Sequence, residues 1–149
     1  MYVDNIYFYN SGDSNPTEPT TAAPTPTQDP ASVISIFSDV YTDPASVNYN
    51  PNWNQTTDTT IETIAGDEVL KLANLDYQGI EYGTALNISG MDTLHIDYWT
   101  PDSTALDVYL ISPGPAETPY TVNPVVTGSW QSLERESAIR SMKVQRHHT

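Results

Sequence analysis

GMDTLHIDYWTPDSTALDVYLISPG, residues Gly90–Gly114, alternates apolar and polar side chains on either side of a short turn. Leu94, Ile96 and Tyr98 alternate with His95, Asp97 and Trp99; after Thr100-Pro101-Asp102-Ser103, Leu106, Val108 and Leu110 alternate with Asp107, Tyr109 and Ile111. A period of two predicts two neighbouring strands with one buried face. Successive side chains point to opposite faces of a sheet, so the aliphatic set enters a core and His95, Asp97, Trp99, Asp107 and Tyr109 share the other face. That face is the candidate working surface.

The remaining composition agrees with an all-β class. Ten tyrosines and three tryptophans in 149 residues favour strands, while helix-favouring Lys, Arg and Glu are scarce. With no cysteine there is no disulfide framework, thiol nucleophile or Cys-type zinc site. The formal charge is −14, and between Met1 and Leu133 seventeen acids face one base, Lys71, a net of −16. Such a surface repels nucleic acid and anionic membranes and suits neutral partners or cations. No apolar run approaches the length of a membrane span, and Met1 to Tyr9 lacks the charged start and apolar centre of a secretory signal.

In chain order, Met1 to Tyr9 reads as a strand and residues 11–30, SGDSNPTEPTTAAPTPTQDP, as an extended, semi-rigid Thr/Pro linker. Ala31 to Ser38 reads as the first strand of a main domain, 31–133. A loop rich in Asp, Asn and Pro follows, carrying Tyr41, Tyr49 and Trp53. Thr60–Ala65 and Glu68–Leu75 flank a Gly66-Asp67 turn, strand chemistry continues over Tyr77–Ile88, Pro113–Pro124 is a turn-rich connection, and Val125–Leu133 begins another strand. The tail 134–149, ERESAIRSMKVQRHHT, holds four of the five bases and no alternation; it is expected to lie outside the fold, with a short basic helix for an acidic partner as the alternative.

VISIFSDVYTD, NPNW, LHIDYWTPDSTALDVYLISPG and YVDNIYFYN, in the order in which a tandem array would present them, resemble β-sandwich carbohydrate-binding-like modules attached to secreted marine bacterial polysaccharide hydrolases, notably family-16 laminarinase-type enzymes. The resemblance implies a jelly-roll type, galactose-binding-like sandwich, and extracellular export by a signal outside this stretch. In those modules a YVDNIYFY-like strand closes the domain, whereas here it stands first. Residues 1–10 are then the end of a preceding module; this strand either folds back over the linker to complete the sandwich or is donated to a second copy in a strand-swapped dimer.

Binding a sugar ring takes flat aromatics beside short polar groups. The face His95, Asp97, Trp99, Asp107 and Tyr109 supplies both, with Lys71, Asn74, Tyr77 and Gln78 as an extension and Trp53 as a rim platform. The expected role is non-catalytic: holding an attached glycoside hydrolase on neutral polysaccharide, β-glucan-like by resemblance, beside neighbouring modules of the same polypeptide. An ordinary solvated face accounts for the same pattern, and the competing roles are a spacer or adhesion module, in which Trp99 is covered, and a hydrolase fragment. The resemblance also implies a structural calcium at Asp39, Asp43 and Asp4, whose carboxylates are hard oxygen ligands. Catalysis finds no motif: the Glu-x-Asp-x-x-Glu arrangement of family-16 catalytic strands is absent, as is Gly-x-Ser-x-Gly.

Overall fold

A computed structural model describes Asp4 and residues 16–112, 116–136 and 143–144. The expected strand Met1–Tyr9, apart from Asp4, lies outside the described residues. Those residues form antiparallel strands with no α-helix, hence no helix long and apolar enough to cross a membrane. The elements are a 3₁₀ turn at Pro30–Ser32, then β1 (Val47–Asn48), β2 (Asp58–Ile64), β3 (Asp67–Ala73), β4 (Glu81–Tyr82), β5 (Leu86–Asn87), β6 (Thr93–Tyr98), β7 (Leu106–Ser112), β8 (Ala116–Val122), β9 (Gln131–Glu136) and β10 (Lys143–Val144). They pair as five two-stranded ladders: β1–β4, β2–β3, β5–β10, β6–β9 and β7–β8.

The β2–β3 hairpin turns on Ala65 and Gly66, not on Gly66 and Asp67: Ile64 pairs with Asp67, and both loop residues have positive φ, 52° and 92°. Two consecutive left-handed residues match the right-handed twist of the flanking strands, which explains the short loop.

β6 and β7 are not paired with each other as the alternation suggests. The connection Trp99–Ala105 is too long for a tight hairpin and contains Pro101, so each strand takes another partner. β7 pairs with β8, Leu106 opposite Val122 through Ser112 opposite Ala116, and β6 pairs with β9, Thr93 opposite Glu136 through Tyr98 opposite Gln131. Residues 116–122 are therefore a strand where a turn-rich connection was expected. Pro119 misled that reading; it sits opposite Tyr109 in a two-stranded ladder, where a missing N–H is tolerated on the unpaired edge.

Ala31–Ser38 is not a strand either. Asp29 caps the 3₁₀ turn, its carboxylate accepting from Ala31 N at 3.0 Å, with Pro30 at the first turn position. Beyond it, the buried Ser35 donates its hydroxyl to Asp43, and Phe37 meets Tyr49 edge to face at 5.4 Å. Ser35 and Phe37 thus settle this segment on the following loop, and it pairs with no strand. At the other end, β9 runs through Glu134–Glu136, three residues past the boundary expected at Leu133, and β10 pairs Lys143 with Asn87 and Val144 with Leu86.

Alternation works as predicted within strands. Leu94 and Leu110 turn inward, and Leu110 packs with Ile88, Met91, Leu94 and Tyr120. Tyr82, Leu110, Val122 and Leu133, with Pro51, are the buried apolar side chains among the described residues, so each carries a large share of the core. Truncating Leu110 to Ala is expected to lower the unfolding free energy by about 2–4 kcal/mol, read from the urea midpoint of the full chain. A change under about 0.5 kcal/mol would mean that Leu110 is not a core residue.

Candidate functional site

The register of β6 against β9 assembles a polar strip. Residues opposite one another in an antiparallel ladder share a face, so His95 stands beside Glu134 and Asp97 beside Ser132, away from the core residues Leu94, Ile96 and Leu133. The His95 ring lies between two carboxylates: Nδ1 is 3.3 Å from Glu134 Oε1 and Nε2 is 3.2 Å from Asp97 Oδ2. An imidazolium donates to both, a neutral ring to only one. Ser132 donates its hydroxyl to the other Asp97 oxygen.

One step beyond the ladder, the same register places Trp99 opposite Trp130. The strands stay together past this point, because Gly128, at φ 74°, donates its N–H to Thr100 O at 2.8 Å. Both indoles line a cleft of about 450 Å³, together with Gly128 and with Pro16, Pro19 and Pro24. Thus the Thr/Pro segment, expected to be an extended, semi-rigid linker, lies against the domain over its described residues. Three hydrogen bonds among the described residues fasten it: Trp130 Nε1–H donates to Thr21 O at 2.9 Å, Ala23 N–H donates to Asp67 Oδ2 at 3.0 Å, and the Tyr41 hydroxyl donates to Gln28 O at 2.8 Å.

The other expected sugar-binding residues are dispersed. Asp107 and Tyr109 lie on the outward face of β7, in a different ladder from His95 and Asp97; Asp107 accepts the Thr121 hydroxyl at 2.6 Å, and Tyr109 is 49% exposed. Lys71, on the exposed β2–β3 hairpin, pairs with Glu62 at 3.1 Å, and Asn74 donates to Asp58.

Trp53, Tyr77 and Gln78 form a separate cluster. Tyr77 donates its hydroxyl to Trp53 O, and Gln78 Nε2 donates to Tyr49 O and Gly79 O, each at 2.9 Å. Trp53 lies half-buried against Gly79, where an added Cβ would come within 2.3 Å of its ring; one ring face is thereby spent on the backbone. Asp76 clamps this cluster by accepting from Thr56 N, Tyr77 N and the Thr57 hydroxyl. Those bonds, the Thr56 N–H foremost, hold its carboxyl well below the usual carboxylate range.

Of the three acids expected to bind calcium, Asp43 is engaged internally. It accepts from Ser35 and Tyr49 hydroxyls and, at 3.4 Å, from Ser38 N, while Asp39 is exposed at the surface. No group of three or more potential metal ligands gathers among the described residues. The neighbours of Asp4 lie outside the described residues.

Sequence reading found His95, Asp97 and Trp99 but missed Trp130, Ser132 and Glu134. The signal was present: Trp130, Ser132 and Glu134 alternate with Gln131, Leu133 and Arg135, and a boundary drawn at Leu133 cut across it. Comparison of the chain with models of known protein families, with curated proteins and with solved structures finds no match in any of the three. The class defined by fold and site is thus an all-β protein of antiparallel strands carrying a ribbon with two tryptophans at one end and His, Ser and carboxylates along it.

Tyr49 and Tyr82 give this region an alkaline limit. Burial, then the Asp43 hydrogen bond and charge, pushes Tyr49 up to about 12, and burial, then Tyr49 and Asp43, does the same for Tyr82. A raised folded-state value means that the stabilisation is whole below the unfolded value near 10 and is lost as pH climbs from there to about 12. The urea midpoint should hold up to pH 10 and fall across that window, with a shallower fall in Tyr49→Phe; parallel curves for the two proteins would refute the assignment.

Proposed function

We propose that the chain is a non-catalytic carbohydrate-binding module, built as a jelly-roll type sandwich and serving a secreted glycoside hydrolase by holding it on neutral polysaccharide. The reading of the ladders as one sandwich is supported by the shared core of Leu94 from β6 and Leu110 from β7. The observation that carries the function is the β6–β9 ribbon: Trp99 and Trp130 at its end, then Asp97 with Ser132, then His95 with Glu134.

Indole rings cover the apolar C–H faces of pyranose rings, and carboxylates accept sugar hydroxyls, which is the pairing such a ligand demands. A surface of −16 up to Leu133 favours an uncharged polymer over an anionic one. Affinity from one small ribbon is modest, and tandem copies would raise it through effective concentration. Tyr109 and Trp53 have no part in this version of the site.

A spacer role without sugar binding has one observation in its favour: the Thr/Pro segment lines the same cleft as Trp99 and is bonded to Trp130. Affinity electrophoresis of the full chain through gels containing laminarin, xylan, agarose or alginate separates the two. Binding predicts retardation by a neutral glucan or xylan, weakened about tenfold by Trp99→Ala and by Trp130→Ala, equivalent to about 1.4 kcal/mol each, and unaffected by Tyr109→Ala. Equal mobility in every gel for a folded sample would leave the spacer.

A further inference from the structure

We infer that the Trp99–Trp130 cleft is a binding site for proline-rich peptide, and that residues 16–24 of this chain are its resident ligand. Between Pro16 and Gln28 the chain has neither helix nor strand; it bends at Thr17–Glu18 and again at Thr20–Thr21, and Pro16, Pro19, Pro24 and Pro26 fix φ along it. Such segments keep their carbonyls free of internal hydrogen bonds. They dock on aromatic-lined grooves, at low entropic cost because proline has already fixed φ.

Each part of that recognition is present. Pro16, Pro19 and Pro24 face the cleft that holds Trp99 and Trp130. The Trp130 indole N–H, a donor with no acceptor capacity, finds the Thr21 carbonyl at 2.9 Å. Asp67, on the β2–β3 turn, takes the Ala23 N–H at 3.0 Å and so fixes where the segment leaves. The cleft keeps about 450 Å³ of space beside the segment, so the seating rests on two hydrogen bonds and on prolines that line the same cleft as the indoles, and not on close core packing. Contacts of that kind exchange. A tethered segment acts at millimolar effective concentration, so free peptide competes with it only in that range. The same rings serve the glycan reading, and segment and sugar exclude each other there, yet the docking stands or falls without any sugar.

The test uses hydrogen exchange followed by NMR on the full chain. Pro19→Gly combined with Pro24→Gly alters the segment alone and leaves the strands their own residues. In this variant the Trp130 indole N–H and the Ala23 amide should exchange about tenfold faster, with β6–β9 amides unchanged as the control for folding. A peptide of residues 16–26 added at millimolar concentration should slow the indole again, and the same peptide with glycine at every proline should not. If indole exchange in the variant matches the unaltered chain, or if the proline peptide restores nothing, the site is not a proline-recognition site. Trp99→Ala in the unaltered segment background should speed Ala23 exchange as well; unchanged protection there would count equally against it.

Discussion

A slip of one residue in the pairing of β6 with β9 would put Leu94 and Ile96 on the face of Ser132 and Glu134, and Leu133 on the face of His95 and Asp97, so one strand's apolar set would have to leave the core. Strand pairing has a period of two, so there is no intermediate arrangement. The register of Ile96 opposite Leu133 thereby sets the inner surface, which meets Leu110, and the outer surface, where His95 reaches Glu134. The opposition of Trp99 and Trp130 is a further consequence of the same choice. Removing apolar area from water favours this register at roughly 25 cal/mol per Å², and the polar strip follows without needing strong bonds of its own.

Much of β6 and β7 was legible in the sequence because each strand alternates cleanly. Which strands would meet was not, since alternation describes a strand's faces and says nothing of its partner. β9 is the instructive case. Trp130, Ser132 and Glu134 repeat the pattern of His95, Asp97 and Trp99, but the abrupt rise in basic residues after Glu134 drew attention away from a strand that crosses it. Pro119 hid β8 in a similar way. A ladder of two strands has an edge on each side, and an edge accepts proline.

The first part of the domain is organised differently. Between Val33 and Tyr82 outside the β2–β3 hairpin, order comes mainly from side chains bonding to backbone and to one another. Asp43 gathers Ser35, Ser38 and Tyr49; Asp76 gathers Thr56, Thr57 and Tyr77; Gln78 spans Thr59, Tyr49 and Gly79. Acids that looked from sequence like a cation site or a generic charged surface are thus partly internal acceptors. Periodicity could not reveal this, because these contacts join residues at irregular separations whose spacing follows loop geometry.

The fastening of the Thr/Pro segment also has a mechanical side. A pull applied to the chain ahead of Pro16 loads the bonds of Thr21 to Trp130 and of Ala23 to Asp67 before it reaches any strand ladder. When those two bonds yield, the nine residues 16–24 are released as slack, roughly 30 Å at full extension. The segment therefore behaves as a short, reversible shock absorber: under load from its N-terminal side the chain would lengthen there first and risk its core last.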